Sequence, residues 1–273
     1  MKRRKFLLTS SGVTAASLAV TVATASKAET EERDDIEVKG SIESIDGDLK
    51  GYFVRPDNSD TLSAVIVLME AFGLNDNIKS VCDRFAKNGF AALAPDFYYG
   101  ESFAYEDVEN AVAKLKTMND EKVMTEFGKS LDFLAKQDGI SANKIGTNGF
   151  CMGGRFVFLA NAIHANKLKA AVSFYGGGIA DDADPFGRKS IVNLAPNMTA
   201  PIMLIYGSED NYIKLQEQEK IAAALSNAKK RYIINVFDKA GHGFVSDRRD
   251  SYEPKAAKEA WEMTMSFFKR HLK

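Results

Sequence analysis

The stretch Lys144-Ile-Gly-Thr-Asn-Gly149-Phe150-Cys151-Met152-Gly153-Gly154-Arg155 decides the fold. An apolar run enters it, a helix-forming run from Phe156 to Ala165 leaves it, and Gly-x-Cys-x-Gly stands between. That pattern is the sequence form of a nucleophile elbow, a sharp strand-to-helix turn that lifts one side chain above a sheet. The flanking glycines are needed because so tight a turn leaves no room for side chains beside the strained residue. Most elbows carry serine, and here the nucleophile is a thiol. At a helix N-terminus a cysteine faces unpaired N–H groups and the positive end of the helix dipole, and both favour thiolate.

The partners of such a nucleophile emerge by elimination. The chain has three histidines. His164 falls late on the helix after the elbow and is expected to be solvated, and His271 lies two residues from the C-terminus. His242, in Ala240-Gly-His242-Gly-Phe244, follows the strand-like Arg231-Tyr-Ile-Ile-Asn-Val-Phe237. A Gly-flanked loop just past a late strand is where the α/β-hydrolase fold carries its general base. The chain order of that fold is nucleophile, acid, histidine. Pro201-Ile-Met-Leu-Ile-Tyr-Gly207 reads as a buried strand, and Ser208-Glu209-Asp210-Asn211 follows it. Asp210 is the favoured acid, because Gly-x-x-Asp after a strand resembles the acid loop of that superfamily; Glu209 is the alternative.

Beyond the elbow the pattern alternates. Ile36 to Ile45 and Leu49 to Arg55 flank Asp46-Gly47-Asp48 and read as a β-hairpin. Strands are expected near 64–69, 91–94, 145–150, 169–175, 201–206 and 231–237. Helices are expected near 77–88, 105–117, 122–137, 152–164, 214–226 and 254–272. This predicts an α/β chain with a mostly parallel sheet, helices on both faces and an N-terminal hairpin. Ligands of such sheets bind beyond the strand C-termini, where Glu70, Cys151, Asp210 and His242 all fall.

These segments together resemble the dienelactone hydrolase family, cysteine hydrolases of the α/β-hydrolase fold. The likeness is carried by Gly149-Phe-Cys151-Met-Gly-Gly154, Asp210, Ala240-Gly-His242-Gly-Phe244, Met69-Glu70-Ala71-Phe72-Gly73 and Pro95-Asp96-Phe97-Tyr98, and it spans residues 37–273. It implies hydrolysis of a small ester or lactone with no cofactor. It also implies that Glu70 contacts the resting cysteine and restrains its ionisation, and that the amides of Ala71 and Met152 form the oxyanion hole. Tyr98 and Tyr175 follow strands that border the pocket. The family's carboxylate-binding arginines are missing where this chain has Tyr99-Gly100-Glu101 and Ser246. Arg248 is the nearest substitute, with Arg249 beside it. Arg155 reads as structural, the Gly176-Gly-Gly loop as backbone near substrate or a plain flexible loop, and Asp181, Asp182 and Asp184 as solvated. The competing reading is a non-catalytic secreted binding protein on the same scaffold.

Lys2-Arg3-Arg4-Lys5 precedes an uncharged stretch from Phe6 to Ser26, and Ala23-Thr-Ala25 and Ser26-Lys-Ala28 are small-residue cleavage sites. Paired arginines before Lys-Phe-Leu resemble a twin-arginine export signal over residues 1–28, with a polar linker at 29–35 and one catalytic domain at 36–273. The expectation is a periplasmic or secreted protein, moved by the twin-arginine machinery and without a stable membrane anchor. Without the five basic residues of 1–28 there remain 31 basic against 37 acidic residues, a balance that argues against nucleic acid as a partner. Of two cysteines, Cys82 reads as a small buried hydrophobe, and no Cys/His cluster has the spacing of a metal site.

Overall fold

Strands buried on both faces of a sheet read as continuous apolar runs, whereas edge strands alternate. A computed structural model describes residues 38–57, 61–181, 184 and 186–272 and sorts the strands in this way. The hairpin is β1 (Ser41–Asp46) and β2 (Leu49–Val54). Six further strands follow: β3 (Leu62–Leu68), β4 (Ala91–Pro95), β5 (Ile140–Phe150), β6 (Ala170–Phe174), β7 (Ile202–Gly207) and β8 (Tyr232–Phe237). They form one sheet in the order β1-β2-β4-β3-β5-β6-β7-β8. β1, β2 and β4 are joined antiparallel, and every pair from β4 through β3 to β8 is parallel. Every residue of β4, β6 and β7 is buried, while β1 and β8 at the edges alternate with solvent.

Six helices connect the strands: α1 (Asp76–Lys87), α2 (Val108–Lys116), α3 (Asp120–Ala135), α4 (Met152–Ile163), α5 (Leu215–Asn227) and α6 (Pro254–His271). α4 and α6 lie on opposite faces. Gly146 abuts Phe268 of α6, whereas Gly149, three residues on and so on the other face of β5, abuts Gly153 of α4. Phe85 of α1 meets Trp261 and Phe268 of α6 edge-on, which places α1 with α6. All but the last residue of α4 are buried, as expected for a helix apolar all round.

The expected elements are present, with three differences. β5 begins at Ile140 rather than near 145. Ile140 pairs with Leu62 of β3, but Ala142-Asn-Lys144 faces solvent and carries no apolar signal. His164 is half-buried rather than solvated, with a ring nitrogen 2.9 Å from the Met124 carbonyl and its ring against Phe127. Asp184 is buried and paired with Arg188 at 2.8 Å, not solvated. Residues 1–28, the linker at 29–35, the first two residues of the expected domain and Asp182 lie outside the described residues.

Candidate active site

The turn after β5 fits the expected elbow. Cys151 has φ 53° and ψ −115°, a conformation that side-chain-bearing residues rarely adopt, and α4 starts at the next residue. A Cβ on Gly153 would fall on the Leu68 and Met69 carbonyls, and one on Gly149 would fall on the Gly153 carbonyl. Glycine is therefore required on both sides of Cys151 by the close approach of β3, β5 and α4.

The elbow brings Cys151 to His242, carried on the loop after β8, close enough for charge and hydrogen bonding to act between the two side chains. The Nδ1–H of His242 donates to Asp210 Oδ2 at 2.8 Å, which leaves Nε2 as the ring nitrogen that can serve the thiol. Asp210 Oδ1 accepts from the amides of Tyr212 (2.8 Å) and Ile213 (3.0 Å), so both carboxylate oxygens are held. Glu209, the alternative acid, is exposed. Burial opposes ionisation of the Cys151 thiol, but the charge and hydrogen bond of His242, helped by the Met152 N–H, outweigh it and hold the thiol below its ordinary pKa. Burial likewise opposes the imidazolium, and the Cys151 thiolate and Asp210 outweigh it and raise His242. Asp210 is lowered: burial pushes it up, and the His242 hydrogen bond and charge overcome that. A thiol whose ionisation is favoured by an adjacent imidazole, itself braced by a carboxylate, has the surroundings of an activated nucleophile.

Glu70, on the turn after β3, is almost wholly buried. Contact with the resting thiol is expected from the family resemblance, and the structure gives the carboxylate two partners besides. The Tyr105 hydroxyl donates to Oε2 at 2.7 Å, and Arg249 Nη1 donates to Oε1 at 3.4 Å. The charge of Glu70 still acts on Cys151, opposing its ionisation. Arg249 reaches this position across Gly243, where φ is +83° and a Cβ would strike the guanidinium. Its guanidinium lies over the Phe72 and Tyr105 rings at 5.5 and 5.2 Å. Arg248 is exposed, and Ser246 is buried with its hydroxyl on Asn77.

Supporting groups surround this centre. The buried Tyr98 donates its hydroxyl to the Ala71 carbonyl at 3.0 Å, so it braces the turn that carries the Ala71 amide. The Met152 N–H favours the ionised Cys151 sulfur. Tyr175, the residue after β6, packs its ring against His242 at 4.9 Å, and Tyr212 meets the same imidazole from the exposed side at 5.1 Å. Arg155 is fully buried: it donates to Asp120 at 2.7 Å and to the carbonyls of Gly178 and Lys189, each at 3.1 Å. Glu217 accepts from the amides of Ile179 and Ala180. Together they pin the loop after Tyr175 at both ends. The close approach made by Gly176 is to Gly154 and Ser173, which explains that glycine by packing against α4. Sequence reasoning missed Tyr105 and Tyr212: Tyr105 falls where a helix is expected from 105, whereas α2 begins at Val108, and Tyr212 stands in an irregular segment.

Comparison with known proteins identifies the family. The model of the dienelactone hydrolase family matches residues 49–272. A provisionally named carboxymethylenebutenolidase of Escherichia coli (strain K12) is 33% identical over 244 residues, covering 87% of this chain and 89% of that protein. One of Aquifex aeolicus is 33% identical over 233 residues, covering 82% and 94%. The crystal structure of a provisionally named dienelactone hydrolase from Klebsiella pneumoniae superposes with a TM-score of 0.79 at 29% identity, covering 86% of this chain and 99% of that one. A dienelactone hydrolase-like promiscuous phosphotriesterase from metagenomic libraries, 21% identical, shares the fold with a TM-score of 0.74 over 87% of this chain and 99% of its own. With the family model covering both the elbow and the histidine loop, this chain is a hydrolase and belongs to the dienelactone hydrolase family.

Proposed function

We propose that the protein hydrolyses small carboxylic esters or lactones through a Cys151–His242–Asp210 triad and an acyl-thioester intermediate. The observation that carries this reading is the continuous chain from the Cys151 thiol through the His242 ring to the fully held Asp210 carboxylate. The thiolate attacks the carbonyl carbon, and the amides of Ala71 and Met152 receive the oxyanion. Collapse expels the alcohol oxygen, which takes the proton from His242. The same histidine then deprotonates the water that cleaves the thioester. Glu70 restrains the thiolate until substrate alters its surroundings. Cys151→Ala and His242→Ala are each expected to lower kcat/KM for a reactive ester by about 10³ or more. Undiminished hydrolysis by purified Cys151→Ala would refute the reading, and absence of hydrolysis by the wild type would favour a binding protein on this scaffold.

The same proposal extends to location: residues 1–28 direct export through the twin-arginine machinery to the periplasm or beyond. Its support is the Arg3-Arg4 pair ahead of an uncharged stretch with small-residue cleavage sites. Arg3→Lys with Arg4→Lys is expected to retain the protein in the cytoplasm. A protein of unchanged location, or one still beginning at Met1 after export, would contradict it.

A further inference from the structure

The sheet has two edges, and the sequence treats them differently. An edge strand shows a row of unpaired N–H and C=O groups to any other chain, and folded proteins blunt it with charge, proline or a bulge. β1 is blunted in this way. Ser41-Ile-Glu43-Ser-Ile-Asp46 carries Glu43 and Asp46, Asp46 pairs with Lys129 at 2.7 Å, and the register shifts between Ser44 and Asp46. β8 is not. Tyr232-Ile-Ile-Asn-Val-Phe237 holds no charge and no proline and keeps an unbroken register against β7. Its Ile233 and Val236 are 44% and 45% exposed.

Two hydrogen bonds fix which backbone groups of β8 face outward. The Ile202 N–H donates to the Arg231 carbonyl at 3.1 Å and the Ser208 N–H to the Phe237 carbonyl at 2.8 Å, so the odd-numbered residues turn toward β7. The two-residue period then points the N–H and C=O of Tyr232, Ile234 and Val236 away from the sheet. Among the described residues these groups have no backbone partner.

We propose that this edge is a self-association surface, on which a second copy of the chain adds its own β8 antiparallel across a two-fold axis at Ile234. The inference is independent of the chemistry at Cys151. A two-fold axis normal to the sheet keeps each face continuous, so residues that meet share a face and the axis passes through a residue, not between two. An axis at Ile234 pairs every outward group of the strand with another: Ile234 with its own copy, and Tyr232 with Val236 of the second copy. These residues lie on the α5 side, where the Tyr232 hydroxyl meets Ser226 at 2.6 Å. On the α6 side, where Asn235 reaches Met263 at 3.3 Å, Ile233 meets Asn235 of the second copy.

Charge favours the same register. It sets the exposed Asp238, just past the strand, opposite Lys230 of the second copy. The Lys230 ammonium donates to the Pro196 and Met198 carbonyls at 2.7 and 2.8 Å, which leaves its third N–H for a carboxylate. An axis at Ile233 or Asn235 loses that pairing. The two-fold arrangement uses the β8 edge of both copies and leaves only the blunted β1 edges outside, so assembly stops at the dimer.

The test is sedimentation velocity of purified wild type, Val236→Lys and Ile42→Lys at micromolar concentration. Both substituted residues are exposed, Ile42 on the β1 edge, so neither variant should melt below wild type. Wild type and Ile42→Lys are expected to be dimers, and Val236→Lys to raise the dimer dissociation constant at least about tenfold. Cross-linking in a Cys151→Ala background reads the register independently of folding stability. In the proposed pairing the two Ile234 Cα atoms lie about 5.5 Å apart, within disulfide reach, and the two Tyr232 Cα atoms about 14 Å apart, beyond it. Ile234→Cys should therefore oxidise to a covalent dimer and Tyr232→Cys should not. A monomeric wild type, a dimer untouched by Val236→Lys, a dimer broken by Ile42→Lys, or cross-linking through Tyr232→Cys instead of Ile234→Cys would overturn the inference. If Val236→Lys melts lower than wild type, the Ile234→Cys cross-link alone decides.

Discussion

Glu70 and Arg249 lie 3.4 Å apart beside the nucleophile, and charge removal from either side of that pair should move Cys151 in opposite directions. Intact, the pair presents the sulfur with a dipole. Glu70→Gln leaves a bare cation, which favours thiolate; Arg249→Gln leaves a bare anion, which disfavours it. A unit charge within a few ångströms shifts an acid by about 1–3 pKa units, and the partial exposure of Arg249 argues for the lower end. On the acid limb of a rate–pH profile one unit changes the thiolate fraction about tenfold. A more acidic thiol is also a weaker nucleophile, with a Brønsted slope of about 0.4–0.5, so the net change in alkylation rate is about three- to fourfold. Glu70→Gln should therefore react faster with iodoacetamide by that factor and Arg249→Gln slower, with the double variant near wild type. Cys82 is buried and should not contribute, and intact mass assigns the adduct. Identical rates in all four proteins, or a shift of the same sign in both single variants, would refute the electrostatic coupling.

Two further expectations rest on other contacts. The thiol is held below its ordinary pKa chiefly by His242, against burial and Glu70. Thiolate in the wild type should therefore persist to lower pH than in a free cysteine. In His242→Ala the Met152 N–H alone is left to oppose burial and Glu70, so the alkylation midpoint should move upward; an unmoved midpoint would contradict the coupling. Arg155→Ala strands Asp120 and two loop carbonyls, and breaking a buried pair of this kind costs about 3–5 kcal/mol. Asp120 is 37% exposed and rehydrates, so the low end applies, about 3 kcal/mol, or a fall in Tm of about 6–12 °C by thermal denaturation. An unchanged Tm would show that the guanidinium contributes nothing net.

Much of this architecture is readable from residue type and order alone. Buried parallel strands and amphipathic helices carry strong periodic signals, and the glycines around Cys151 announce a close approach that the backbone contacts explain. Asp210 and His242 were legible because each follows a strand at the same sheet edge as Cys151. What escaped was set by tertiary contact rather than by local pattern. The start of β5 is solvent-facing and polar, so only its pairing with β3 identifies it as strand. His164 and Asp184 are polar residues whose burial is offset by partners distant in sequence or folded back from the same loop. The partners of Glu70 come from the loop before α2 and the loop before α6, and no spacing rule links residue 70 to residues 105 and 249. Where the family carries a substrate-binding arginine this chain has Ser246, which turns toward α1.

The central claim is that an acyl group passes through the Cys151 sulfur, and trapping that intermediate tests it most directly. A slowly turned-over ester, quenched in acid within the first turnover and followed by peptide mass spectrometry, should show the acyl mass on the peptide containing Cys151. Neutral hydroxylamine should remove it, and Cys151→Ala should neither acquire it nor turn over the ester. An acyl group found on another residue, or undiminished turnover by Cys151→Ala with no adduct on Cys151 in the wild type, would contradict the account.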